Sequence, residues 1–87
     1  MARFYFTYGS DSSSQPYNGG WTEVEADDED MAREAFCLVH PRKDGFIPCC
    51  SIYSEAQFAV SKMAKTGENF GVGCRERITL TREVLVE

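Results

Sequence analysis

Apolar and polar residues alternate with period two along several stretches of the chain and recur at helical spacing along two others, and this contrast predicts most of the fold. "ARFYFTY", residues 2–8, puts Phe4, Phe6 and Tyr8 on one face and is rich in aromatic strand formers. It is read as a first strand. "GWTEVEA" alternates again, with Thr22, Val24 and Ala26 opposite Trp21, Glu23 and Glu25. This second strand is expected to run antiparallel to the first across a long hairpin loop. The strongest alternation comes last, with Ile78, Leu80, Val84 and Val86 on one face and Arg77, Thr79, Thr81 and Glu83 on the other. A single final strand is predicted there.

The helical stretches lie between. Asp27 is placed to cap a helix whose first turn holds Asp28, Glu29 and Asp30, where free amides and the helix dipole favour negative charge. Met31, Ala32, Ala35, Phe36, Leu38 and Val39 form its apolar stripe, and Arg33, Glu34, Cys37 and His40 the other side. The spacing predicts a helix over 28–40, stopped by Pro41. An Asp44-Gly45 turn then leads into "FIPCCSIY", a third strand that Pro48 restricts to a sheet edge or a bulge. "SEAQ" at 54–57 has capping-box spacing. The helix it opens, over 55–65, is expected to bury Ala56, Ala59, Val60 and Met63, to leave Phe58 beside Lys62 and Lys65, and to end near Gly67. The order β-β-α-β-α-β predicts an α+β fold: a single domain over 1–87 with one four-stranded sheet and two helices on one face. Its expected core holds Phe36, Val39, Ile78, Leu80, Val84 and Val86.

Composition narrows this picture without changing it. Eighty-seven residues enclose one core, and 43% hydrophobic with 26% charged is an ordinary globular balance. No apolar run reaches bilayer length, and the first ten residues are too short for a signal peptide, so a cytoplasmic protein without a membrane partner is expected. Cys37, Cys49, Cys50 and Cys74 are then read as free thiols. A net charge of −5 argues against direct nucleic acid binding, which relies on a basic surface.

Candidate chemistry is sparse. Cys37 and His40 are three apart on the predicted helix and share a side, and Cys49, Cys50 or Cys74 would have to complete four zinc ligands. No Cys-x-x-Cys pair supports this, so no metal and no cofactor are expected. The same residues could form a cysteine–histidine nucleophile, but nothing marks an orienting group or an oxyanion hole. A small cysteine-dependent enzyme is therefore the weakest reading, and it would need turnover that Cys37→Ala or His40→Ala abolishes. The run "EVEADDED" either imitates a nucleic-acid backbone or, more simply, starts a helix.

The two glycine-rich loops carry more. "GSDSSSQPYNGGW", residues 9–21, is far longer than a hairpin needs, and "GENFGVGCRER" precedes the last strand. If that strand runs antiparallel to the first, both loops lie at one end of the sheet. A ligand site is then expected where they meet: Tyr8, Tyr17, Trp21 and Phe70 as walls or stacking rings, Ser10 and Asn69 as polar contacts, Gly19 and Gly20 as points of close backbone approach, and Arg75 for an anion. The plainer alternative is a loop tip and a connection in which Trp21 and Phe70 cover the open end of the core.

"FYFTYGSDSSSQPYNGGWTEVEA", "CCSIYSEAQF" and "NFGVGCRERI" resemble a group of short, mostly uncharacterised proteins of phages, prophages and mobile elements of gut Firmicutes, over nearly the whole chain. The resemblance carries no catalytic residues. It implies a small accessory factor that counters host defences, either by occupying a host protein or by sequestering a nucleotide signal. A sponge of the second kind would be a stable homo-oligomer whose loops close a pocket between subunits.

Overall fold

The computed structural model describes residues 1–10, 14–80 and 84–86. Five strands, β1 (Ala2–Thr7), β2 (Trp21–Ala26), β3 (Ser51–Ser54), β4 (Cys74–Leu80) and β5 (Val84–Val86), join one sheet in the order β3-β1-β2-β4-β5. The helices among the described residues are α1 (Glu29–Val39), α2 (Glu55–Ala59) and α3 (Lys62–Thr66). The α+β class and the β-β-α-β-α-β order are as the sequence predicts. β1 is antiparallel to β2 and β3, and β4 is parallel to β2, so β4 runs antiparallel to β1.

The register Phe4↔Val24 and Phe6↔Thr22 gathers the apolar positions of both strands on one face. α1 closes it: the Phe36 ring stacks on Phe6 with centroids 4.4 Å apart, among Tyr8, Val24, Ala32, Ala35 and Ile78, all fully enclosed. Burying a side chain such as Phe36 contributes about 2–3 kcal/mol. Val39 packs at the margin of this core. Asp28, rather than Asp27, caps the helix, its Oδ1 accepting the Met31 amide at 2.8 Å. The expected stripe also shifts. Leu38 lies about 200° round the helix from Phe36 and is exposed, whereas His40 lies only about 40° away and turns inward.

The second predicted helix is broken into α2 and α3. The Ser54–Gln57 capping box forms as its spacing predicts, and Gly67 closes α3 in the left-handed conformation at φ +76°. Between them the Ser61 hydroxyl bonds the Phe58 carbonyl and caps α3, so the run cannot keep one continuous stripe. Val60 is consequently exposed and Phe58 buried. Phe58 stacks on Tyr5 at 3.8 Å and meets Trp21 edge-on at 5.0 Å. Tyr5 and Trp21 point away from the Phe4–Phe6 face, so α2 packs on the opposite side of the sheet from α1. This corrects the expectation of two helices on one face. Phe58→Ala is expected to cost about 3 kcal/mol in chemical denaturation followed by Trp21 fluorescence, and Val60→Ala less than about 0.5 kcal/mol.

The final alternating run is also folded back. Ile78↔Val86 and Leu80↔Val84 are cross-strand partners in β4 and β5, giving five strands where four were expected. A hairpin in this register keeps the period of two, so alternation alone does not separate it from one straight strand. Ile78 is fully buried as expected, while the side chains of Leu80, Val84 and Val86 lie outside the described residues. β3 begins five residues later than predicted. Residues 43–46 instead form a tight turn, with Asp44 at φ +52° and Gly45 at +81° and reciprocal Lys43–Phe46 bonds of 2.9 Å. β3 is an edge strand, consistent with the position of Pro48 just before it.

Candidate functional site

Since β4 starts beside the start of β2, the two glycine-rich loops do meet at one end of the sheet. Gly20 N donates to Asn69 O at 2.8 Å and Trp21 N to Gly73 O at 3.3 Å. The Asn69 side-chain amide bridges Tyr8 O and Gly20 O, both at 2.9 Å, tying the first loop's ends to the second. Arg75 Nη2 reaches Asn18 O at 2.6 Å, and its guanidinium lies over the Tyr17 ring. The loops are therefore packed against each other. A Cβ on Gly19 would lie 2.9 Å from Asn69 O, and one on Gly20 would lie 2.4 Å from Gly73 O. These glycines allow close approach between two parts of the chain itself.

The expected rings separate accordingly. Tyr8 is fully buried on the α1 face, whereas Trp21 pairs with Thr7 on the other face and packs on Phe58. They cannot wall one ligand. Tyr17 sits between Tyr8 and His40 in edge-to-face contacts, Ser10 is exposed, and Phe70 stands out into solvent. Phe70 and Gly71 form the tip of a two-residue turn closed by Asn69 and Val72. Phe70 adopts φ +53°, a left-handed conformation that an aromatic residue rarely takes.

Beneath the loops lies a polar cluster that sequence reasoning missed. Thr22 Oγ1 donates to Glu76 Oε1 at 3.0 Å and Tyr17 OH to Glu76 Oε2 at 3.3 Å, while His40 Nε2 faces Oε1. The only Thr22 hydroxyl proton is used on Glu76, so Tyr8 OH must donate to Thr22. Glu76 is 8% exposed and gathers three donors, from β2, from the C-cap residue of α1 and from the first loop. A signal was present: Glu76 is two residues before the core residue Ile78, so strand alternation puts a charged group on the buried face. Burial pushes the Tyr8 phenol well above its usual 10, which means the folded state holds this proton more tightly than the unfolded chain. The Tyr8 contribution to stability is therefore fully present below about pH 10 and is lost as pH rises above it. Denaturation curves between pH 8 and 11 are expected to show a loss that Tyr8→Phe reduces, the remainder coming from groups such as Cys49 whose proton is also held more tightly in the folded state.

The sheet face opposite carries a charge ladder, with Arg3 3.6 Å from Glu23 and Arg77 3.4 Å from the same carboxylate. Cys37 and His40 do not form a pair, because His40 is held by Glu76. Among the described residues, no three His, Cys, Asp or Glu side chains come together as a metal site requires. Cys49 packs at the core edge, and burial pushes its thiol up to about 11. Iodoacetamide at pH 8 is expected to modify the exposed Cys50 and to spare Cys49, read by peptide mass spectrometry.

A third loop reaches the same end. Cys50 N donates to Thr7 O at 2.7 Å, and Ser14 and Gln15 share a cleft with Lys43, Phe46 and Pro48. Phe46 and Phe70, 77% and 65% exposed, thus both project from tight turns at the loop end. No family model matches the chain, and neither a curated protein nor a solved structure does. Its own geometry must carry the functional reading. Among the described residues, no helix is long and apolar enough to cross a membrane.

Proposed function

We propose that this chain is a non-catalytic binding protein, a cytoplasmic accessory factor of a phage or mobile element that counters host defence by occupying a host protein. The observation that carries the reading is the pair Phe46 and Phe70, held out from tight turns at one end of the sheet. Exposed rings cost solvation and Phe70 adds backbone strain; such features favour an anchor that a partner's pocket covers. The second reading, a nucleotide-signal sponge, has less support because the converging loops use their amides, carbonyls and Arg75 on one another. A catalytic role has least support, as the Glu76–His40 pair is enclosed by protein donors.

Affinity capture from host lysate tests the proposal, comparing the wild-type chain with Phe70→Ser and identifying bound proteins by mass spectrometry. The wild type is expected to retain a discrete host protein that Phe70→Ser loses while keeping its melting temperature. Retention of the same proteins by both forms, or of none by either, contradicts it.

A further inference from the structure

The exposed edge of β3 has a second property, set by where α1 lies. α1 packs mainly on β2 and β4 and reaches β1 through Phe36 on Phe6, leaving the β3 side of the same face to the segment before β3. Between them an open cleft of about 540 Å³ remains, with Ile47, Ile52 and Phe46 as its apolar wall and Arg33 and Arg42 on its flanks. Among the described residues no acidic side chain lines it, in a chain of net charge −5. Arg33 is held by Glu29, whereas Arg42 has no acidic partner among the described residues.

The backbone of the edge is available too. Thr7 O accepts from Cys50 N, and Arg3 N is bonded by Glu55, so alternate residues of β1 direct their peptide groups toward β3 at positions 3, 5 and 7. Their partners Ser51 and Tyr53 bond inward, and the peptide groups of Ile52 point outward. Ser54 N, next on that edge, is capped by Gln57 Oε1, which ends the free stretch. An unpaired peptide group beside an apolar cleft flanked by the Arg42 cation matches an incoming strand whose cleft-facing positions, every second residue, carry an apolar side chain followed by an acidic one.

We propose that the β3 edge and this cleft take an extended acidic segment of a protein partner as an added strand. The proposal rests on the reading of the chain as a binding protein and names the chemistry of what it binds. Main-chain bonds to Ile52 set the register, an apolar side chain enters beside Ile47 and Ile52, and a carboxylate two residues along, on the same face of the added strand, meets Arg42. Binding by strand addition needs no bulky pocket, so the cleft's openness does not count against it.

The test uses the full chain and a capped octapeptide in which serine alternates with valine and glutamate in turn (Ser-Val-Ser-Glu-Ser-Val-Ser-Glu), so that valine and glutamate share one face, with isothermal titration at two salt concentrations. The wild type is expected to bind it at least about tenfold more tightly than the lysine–valine counterpart, less tightly at high salt, and Arg42→Glu to weaken it at least about tenfold. N-methylation of alternate peptide amides on one edge is expected to abolish binding while leaving the protein untouched, and on the other edge to have little effect. Equal binding of both peptides, or indifference to N-methylation on either edge, overturns the proposal. So does equal or tighter binding of an oligothymidine of eight nucleotides. The broader reading fails separately: it falls if Phe70→Ser captures what the wild type captures, whereas a host protein retained equally by wild type and Arg42→Glu removes only the strand-addition site.

Discussion

Gly20→Ala is expected to cost about 4 kcal/mol of folding stability, a large share of what a domain of this size has. Two effects add. The residue sits at φ +74°, where a Cβ costs about 1–2 kcal/mol, and that Cβ would lie 2.4 Å from Gly73 O. The carbonyl cannot easily retreat, because it accepts the Trp21 amide, and Arg75 Cγ closes the other side at 3.0 Å. Gly71→Ala is the control. Its φ is +78°, but nothing lies within 4 Å of the added carbon, so only the conformational cost of about 1 kcal/mol should appear. Urea denaturation of both variants gives the difference, which is the energetic signature of two loops closed on each other. Equal losses would mean that the loops can part, reopening the space between them for a ligand.

Glu76→Ala is the second large effect, about 4 kcal/mol. Its removal leaves the Thr22 hydroxyl, the Tyr17 phenol and the His40 ring without their shared acceptor in a nearly closed site. Glu76→Gln keeps the shape and one acceptor oxygen and should cost about half as much. Tyr17→Phe combined with Glu76→Ala should cost little more than Glu76→Ala alone, because the two share one network. Full additivity in this cycle would show that the cluster is a set of independent contacts.

Much of the fold was legible because it rests on local rules. Period-two alternation identified β1 and β2 and their facing sets, Ser54 with Gln57 marked a helix start, and Pro48 and Asp44-Gly45 marked an edge and a turn. What was not legible depended on competition between neighbours. Ser61 interrupts a helix that periodicity alone would continue, and this moves Phe58 to the second face of the sheet. The β4–β5 hairpin keeps the alternation of a straight strand.

The site shows the same division. Chain direction sufficed to bring residues 9–21 and 68–77 together, yet it could not reveal that their polar groups satisfy one another. Tyr8 and Trp21 belong to opposite faces, and their assignment to one wall ignored the strand alternation that fixes those faces. His40 was read on the polar side of the helix and Glu76 was given no role, although the alternation of β4 and the helical period running on from α1 both turn them inward.

The account's central claim is that the loop end presents a closed surface to a protein rather than a pocket to a nucleotide. Thermal denaturation of the wild-type chain against a panel of cyclic and linear nucleotides tests it most directly. A ligand present at about one hundred times its dissociation constant would add about 2.7 kcal/mol, which in a domain of this size raises the melting temperature by about 10 °C or more. The account predicts no shift beyond about 1 °C for any nucleotide; a shift of several degrees that Arg75→Ala removes would contradict it.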